Sequence, residues 1–292
     1  MSFAMLKDIV AEAQNMECPF WKVILDEDCK ERSVSKEESF EMMRHMYRAM
    51  KEADASYDSK LRSASKMAGG DGEKLERYRK EKTPLFGEFL AEAVEKAVKM
   101  GESNACMRRI VAAPTAGSCG VIPAVLLTYE KQKHTAEEHI VEALYVAAGI
   151  GEVLAVSASI SGAGGGCQAE IGSAAAMAAG ALTYLEGGAN EQIVKAAALA
   201  LKNMLGLTCD PVAGLVEVPC IKRNASGAVN AVLAAHLTMA GIQSAIEPDE
   251  VVDSMRRIGA MIPACLRETS QEGLAATATA RRIADELAAG ER

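Results

Sequence analysis

Three cysteines in the second half of the chain stand where sulfur chemistry would need them. Cys167 closes the glycine-rich run Ser161–Gly166 and opens a helical stretch. Cys209 sits in Thr208-Cys209-Asp210-Pro211, and Cys220 follows Pro219. A thiolate at a helix start meets unpaired backbone N–H groups and the favourable end of the helix dipole, which lowers its pKa and suits an anionic sulfur ligand. All three are expected in inter-helical loops, which can converge at one end of a bundle. Their spacing matches neither a compact ferredoxin nor a zinc pattern, so on spacing alone three buried free thiols stay open as the alternative. Zinc fits the composition, but no histidine clusters with these cysteines and a fourth protein ligand is not evident. Three thiolates suit a cubane cluster with one iron left open. An open iron polarises a substrate hydroxyl and carboxylate, in an elimination that also needs a base for the α-proton.

Other residues compete for roles around that centre. Thr115, Gly117 and Ser118, in PTAGSCG (114–120), offer hydroxyl and backbone donors to a carboxylate, against a plain loop or cap. The glycines of Ser161–Gly166 would let backbone approach a cluster or substrate, against a tight helix–helix turn. Lys222, Arg223 and Asn224 follow Cys220 and would offset cluster charge or bind a carboxylate, against simple exposure. Arg267, Glu268, Thr269 and Ser270 read as a helix start facing the same region. Cys119 is a candidate fourth ligand, with packing as its competitor, and Cys265 is not a preferred ligand. Cys18, Cys29 and Cys106 have no partners in the pattern. His45, His134 and His139 read as surface or packing residues. His236, inside AVLAAHLTMA, reads as a core histidine or a pocket residue. None is assigned as the base.

The elements that must position these residues are helices. Residues 36–53 form an amphipathic pattern that Ser35 caps, with Glu38 three residues on. Residues 1–35 read as a short helix and an irregular stretch, 54–82 as an exposed connection or hairpin, and 86–100 as a helix stopped by Gly101. From Ala112 onward, Gly-, Ser- and Pro-rich breakers alternate with apolar stretches. Helices are expected at 121–131, 136–158, 168–185, 190–205, 227–242, 248–256 and 270–288. Period-two alternation is scarce, so the fold class is all-α or nearly so. The glycines at 162–166 follow no strand and no P-loop lysine is present, which excludes a nucleotide-binding α/β unit.

At the level of the chain, 292 residues suffice for one large core or two smaller ones. A net charge of -8 without a basic stripe argues against a nucleic-acid partner. With 4% aromatic residues, the core must be built from small side chains that bring backbones close. The apolar stretches 140–160 and 171–185 are read as core, the first carrying Glu142 and Glu152 and the second being short, so no membrane span is expected. Met1–Val10, with Lys7 and Asp8, carries no signal-peptide pattern. Eight cysteines without a secretory signal argue for thiols or ligands rather than disulfides, and for a cytoplasmic chain.

Five segments carry a resemblance: APTAGSCG (113–120), SGAGGGCQAEIGSA (161–174), GLTCDPVAGLVEVPC (206–220), IKRN (221–224) and RRIGAMIPACLRETS (256–270). In this order the chain resembles the α chain of the iron–sulfur-dependent bacterial L-serine dehydratases, over residues 80 to 290. The resemblance implies a [4Fe–4S] cluster on Cys167, Cys209 and Cys220, with one iron free for substrate. It implies loss of water from L-serine, giving pyruvate and ammonia. In single-chain relatives a preceding β domain contributes the proposed catalytic histidine. Residues 1–80, an N-terminal helical segment before the catalytic domain 81–292, are too short and helical to replace it. The resemblance therefore implies a separate β chain that supplies the base, in an oligomer. Some relatives place a C-terminal cysteine on the open iron. The ending Gly290-Glu291-Arg292 predicts an exogenous ligand there instead. A cysteine-desulfurising lyase and a cluster-binding subunit inactive alone are the alternatives. A pyridoxal-phosphate enzyme is disfavoured, since no Schiff-base lysine in a phosphate-binding α/β fold is evident.

Overall fold

The computed structural model describes residues 3–290. Among them the chain is all-α, with thirteen helices and no strand. The readings placed on Met1, Glu291 and Arg292 lie outside the described residues.

The centre is α9 (Ser173–Leu185), an Ala- and Gly-rich helix buried on nearly every side. A helix apolar all round has no solvent face to offer and must be enclosed. It is enclosed by α6 (Val121–Lys133), α7 (Glu137–Ser157), α10 (Asn190–Lys202) and α11 (Cys220–Met239). Glycines set the distances. A Cβ on Gly180 would stand 2.2 Å from Ile150 Cδ1, and one on Gly149 would stand 2.6 Å from Ile24 Cδ1. The scarcity of aromatic residues thus appears as close backbone approach. By length and composition alone, α7 is apolar enough to cross a membrane; 67% of its most apolar window is buried inside the fold, against α9 and α2.

The N-terminal residues join the same core. α1 (Leu6–Asn15), α2 (Phe20–Arg32) and α3 (Lys36–Ala55) contribute Leu6, Ile9, Phe20 and Tyr47 to the cluster that holds α7 and α9. Asp249, in the first turn of α12 (Pro248–Met261), accepts from Leu6 N at 2.7 Å. Ser35 caps α3 as expected, its hydroxyl accepting from Glu38 N while the Glu38 carboxylate accepts from Ser35 N.

Several expectations are corrected. The irregular stretch before residue 35 is helix α2, entered directly after Pro19, whose fixed φ suits a helix start. The connection 54–82 is no hairpin: Asp71–Glu81 forms α4, and Ser63 and Ser65 are buried. Gly101 does not stop the preceding helix. α5 runs Gly87–Ala105, and Gly101 gives Ile221 room, since a Cβ there would lie 3.2 Å from Ile221 Cγ2. α11 starts at Cys220, seven residues before the expected position, so Lys222, Arg223 and Asn224 are helical. The last helix, α13, starts only at Ala278; residues 267–270 are irregular, with Cys209 and Arg267 in an isolated parallel bridge.

Candidate functional site

The breaker segments meet at one end of the bundle, and each is tied to another. A four-residue helical turn, α8 (Gly162–Gly165), leads through Gly166 at φ 77 into Cys167. A π turn, Gln168–Gly172, follows before α9. A Cβ on Gly166 would stand 2.8 Å from Leu207 O, so only glycine fits both the conformation and the contact. Gln168, fully buried, accepts from Gly206 N and donates to Met255 O, locking this turn to α12 and to the segment before Cys209. Cys209 N donates to Leu266 O, and Glu268 N donates to Cys209 O.

Cys167, Cys209 and Cys220 are all buried, at 2%, 3% and 7% exposure. They are near enough to feel one another's charge: Cys167 raises both Cys209 and Cys220, and Cys220 raises Cys209. Burial is the larger cause throughout. It pushes Cys167 up to about 11, against the lowering charge of Arg223, and Cys220 up to about 12. Cys209 is raised further still. For Cys167, burial outweighs the lowering influence of Arg223 and of the Ile171 backbone N–H. A metal centre would have to displace these protons.

Arg223 brings positive charge to the site. It hydrogen-bonds Cys167, donates to Thr208 O at 2.8 Å and pairs with Asp210 at 2.9 Å. Asp210 also accepts from Leu274 N at 2.8 Å, which draws the C-terminal segment in. Asn224 is 1% exposed. Its amide donates to Gly117 O and Cys220 O, and its oxygen accepts from Gly120 N. It therefore pins the PTAGSCG loop to α11, with both donors engaged. Lys222 pairs with Asp71 at 2.6 Å and is directed toward α4. Ser118 is fully buried and shares a 3.0 Å hydrogen bond with Thr115.

Glu170 lies unassigned within the SGAGGGCQAEIGSA segment, and the structure brings it into the site. Thr115 Oγ1 donates to it at 2.8 Å, and its charge acts on all three thiols. The available signal was its spacing of three from Cys167, which puts both on one helical face. Asp210, beside Cys209 in the sequence, likewise enters the site through Arg223.

The remaining candidates lie elsewhere. Cys119 packs with Ala53 and Met100, its thiol 3.9 Å from Met100 O, and joins none of the three thiols. All four histidines are exposed; His236, expected in the core or a pocket, stands at the rim of a cavity of about 440 Å³ on another face.

Among the described residues, no three His, Cys, Asp or Glu side chains are spaced to clasp a single metal ion. A four-iron cubane spreads its thiolate ligands over a wider triangle than one ion does. The donor set, three buried sulfurs flanked by a guanidinium, fits that larger group by its chemistry.

A family profile described as Serine dehydratase alpha chain matches residues 15–275. The chain is 43% identical over 288 residues to the probable L-serine dehydratase, alpha chain, of Bacillus subtilis, covering 99% of this chain and 96% of that one. It is 38% identical to the L-serine dehydratase, alpha chain, of Peptoniphilus asaccharolyticus, covering 95% of each. Over 181 residues it is 47% identical to the L-serine dehydratase TdcG of Escherichia coli, which spans 61% of this chain and 40% of that protein. On fold, site segments and full-length matches, the chain belongs to the serine dehydratase alpha chain family.

Proposed function

We propose that this chain is the α subunit of an iron–sulfur L-serine dehydratase, a lyase that converts L-serine to pyruvate and ammonia. The observation that carries the reading is the gathering of Cys167, Cys209 and Cys220, buried and mutually interacting, around the Arg223 guanidinium. Two relatives that match nearly the full chain carry L-serine dehydratase in their names. In this reading the three cysteines hold a [4Fe–4S] cluster. Such a cluster, with one iron open, supplies a Lewis acid for the serine hydroxyl.

The chain's own residues do the rest. Arg223 sets positive charge against the sulfurs, and Asp210 fixes its guanidinium. Asn224 fixes the Thr115–Ser118 loop, the candidate substrate-binding segment, against the first turn of α11. Of the residues proposed for substrate, Thr115 and Gly117 border Glu170, whereas Lys222 serves the α4 contact. All four histidines of this chain are exposed on other surfaces. The reading therefore assigns removal of the α-proton to a separate β chain.

The test is the content of iron and acid-labile sulfide after strictly anaerobic purification, with and without a β partner. The expected result is about four of each per chain, as a cubane requires, with serine-dependent pyruvate formation from the pair. Stoichiometric zinc without sulfide overturns the reading.

A further inference from the structure

Glu170 is a part-buried carboxylate in the site that pairs with no cation among the described residues. Its Oε1 accepts from Thr115 at 2.8 Å. The influences on its charge are burial, the Thr115 bond and repulsion from Glu268, and no Lys, Arg or His is among them. Arg223, the nearby guanidinium, is engaged by Cys167, Thr208 O and Asp210. Burying a carboxylate without a counter-charge is costly, so such a group points to a ligand that brings one.

Glycines bring backbone close against it. A Cβ on Gly117 would stand 3.1 Å from Oε1. A Cβ on Gly162 would stand 3.0 Å from Oε2 and 2.9 Å from Cys209 Sγ. Any side chain at Gly162 would therefore fill the gap between this carboxylate and a candidate ligand sulfur. A substrate bound beside the sulfurs would adjoin this carboxylate. An amino acid brings a compact ammonium with three donors, the complement of a carboxylate with one oxygen unengaged.

We propose that Glu170 receives the α-ammonium group of the amino-acid substrate, with Thr115 as the positioning residue that holds its other oxygen. The assignment rests on the amino-acid lyase reading above. It adds the residue that would distinguish an amino acid from the corresponding hydroxy acid.

The test compares L-serine with 3-hydroxypropanoate, which lacks the amino group, on the anaerobically loaded enzyme with its β partner. Two quantities are read: KM and kcat with competitive inhibition, and the thermal stabilisation each ligand confers in excess. In Glu170→Gln, the KM for L-serine should rise about tenfold or more, and its thermal stabilisation should shrink. Inhibition by 3-hydroxypropanoate and the iron content should be unchanged. Equal weakening of both ligands overturns the proposal, as does a fall in kcat with KM unchanged. If that variant loses iron or fails to fold, Thr115→Val is read instead. It should show the same selective loss for L-serine, and an unselective loss overturns the proposal. A wild-type enzyme that neither binds nor converts serine would instead sink the functional reading, so the two failures are told apart.

Discussion

Cys119 and Cys167 are both buried thiols, yet their surroundings differ in kind. Cys119 packs in an apolar cluster with Ala53 and Met100, and burial alone pushes its pKa up to about 12. Cys167 is raised by burial too, but Arg223 opposes that shift and Glu170 adds to it. Surroundings of the first kind store a small hydrophobe. Surroundings of the second kind place a cation and an anion near sulfur, as the proposed cluster role requires. Replacing Cys167, Cys209 or Cys220 with Ser should abolish iron retention, read as iron content of the anaerobically purified protein. Cys119→Ser should keep the iron but lose about 1–3 kcal/mol of stability, because it buries a hydroxyl in an apolar cluster. Denaturant unfolding measures that loss.

At the scale of elements, the segment from Tyr57 to Gly72 shows how carboxylates act as anchors. Glu102 on α5 is 1% exposed and accepts from Tyr57 OH and from the backbone N–H groups of Gly69, Asp71 and Gly72. Glu217 accepts from Ser63 and Ser65. Ile221 packs with Ala68 and Val98, so the same segment also steadies the entry to Cys220. Glu102→Gln replaces an acceptor by a group with its own donors and should cost about 2–3 kcal/mol. The check is a lower denaturant midpoint at unchanged slope, with faster amide exchange at Gly69, Asp71 and Gly72. Next to it, α4 docks on α5 through Lys99, which bridges Glu76 and Glu95. Bonds from Lys80 and then Lys99 hold the Glu76 pKa down to about 2, below its ordinary 4.5. A lowered carboxylate pKa stabilises fully above the ordinary value and loses that contribution as pH falls toward the folded one. Protection of the α4 amides, relative to their intrinsic exchange rate at each pH, should therefore fall from about pH 4.5 toward about pH 2, and Glu76→Gln should flatten that dependence.

At the scale of the whole molecule, stability rests on close approach rather than on bulky side chains. Gly180 lies mid-helix in α9, where alanine would ordinarily be the better helix former. Here an added methyl would stand 2.2 Å from Ile150 Cδ1, and Ile150 is itself fully buried. Gly180→Ala should therefore destabilise by about 1–3 kcal/mol despite its helix propensity, measured by thermal or denaturant unfolding. The same packing fixes α9 against α7, and α9 continues from the π turn that follows Cys167. Core packing and site geometry are thus joined through one helix.

The helical class, the Ser35 cap and the apolar helices from Val121 to Lys202 were legible because local periodicity and capping chemistry specify them. The segments around Cys167, Cys209 and Cys220 were legible as those of the family to which the chain belongs. α2 and α4 were not, for different reasons. The Cys-Pro-Phe-Trp run before α2 reads as a breaker until its Pro is seen to start a helix. α4 is almost wholly charged, and its partners lie on α5. The KRNASG stretch read as a break because its polar residues find partners only in three dimensions, Asn224 on the PTAGSCG loop and Arg223 on Asp210 and Thr208. Glu170 lacked meaning in one dimension for the same reason: its neighbours Thr115 and Gly117 are some fifty residues away along the chain. By itself, the sequence determined which residue types were available for sulfur chemistry and that helices would carry them. Tertiary structure alone decided which of them meet, and that burial raises Cys167 against the lowering charge of Arg223, because burial and counter-charge are properties of the assembled surroundings.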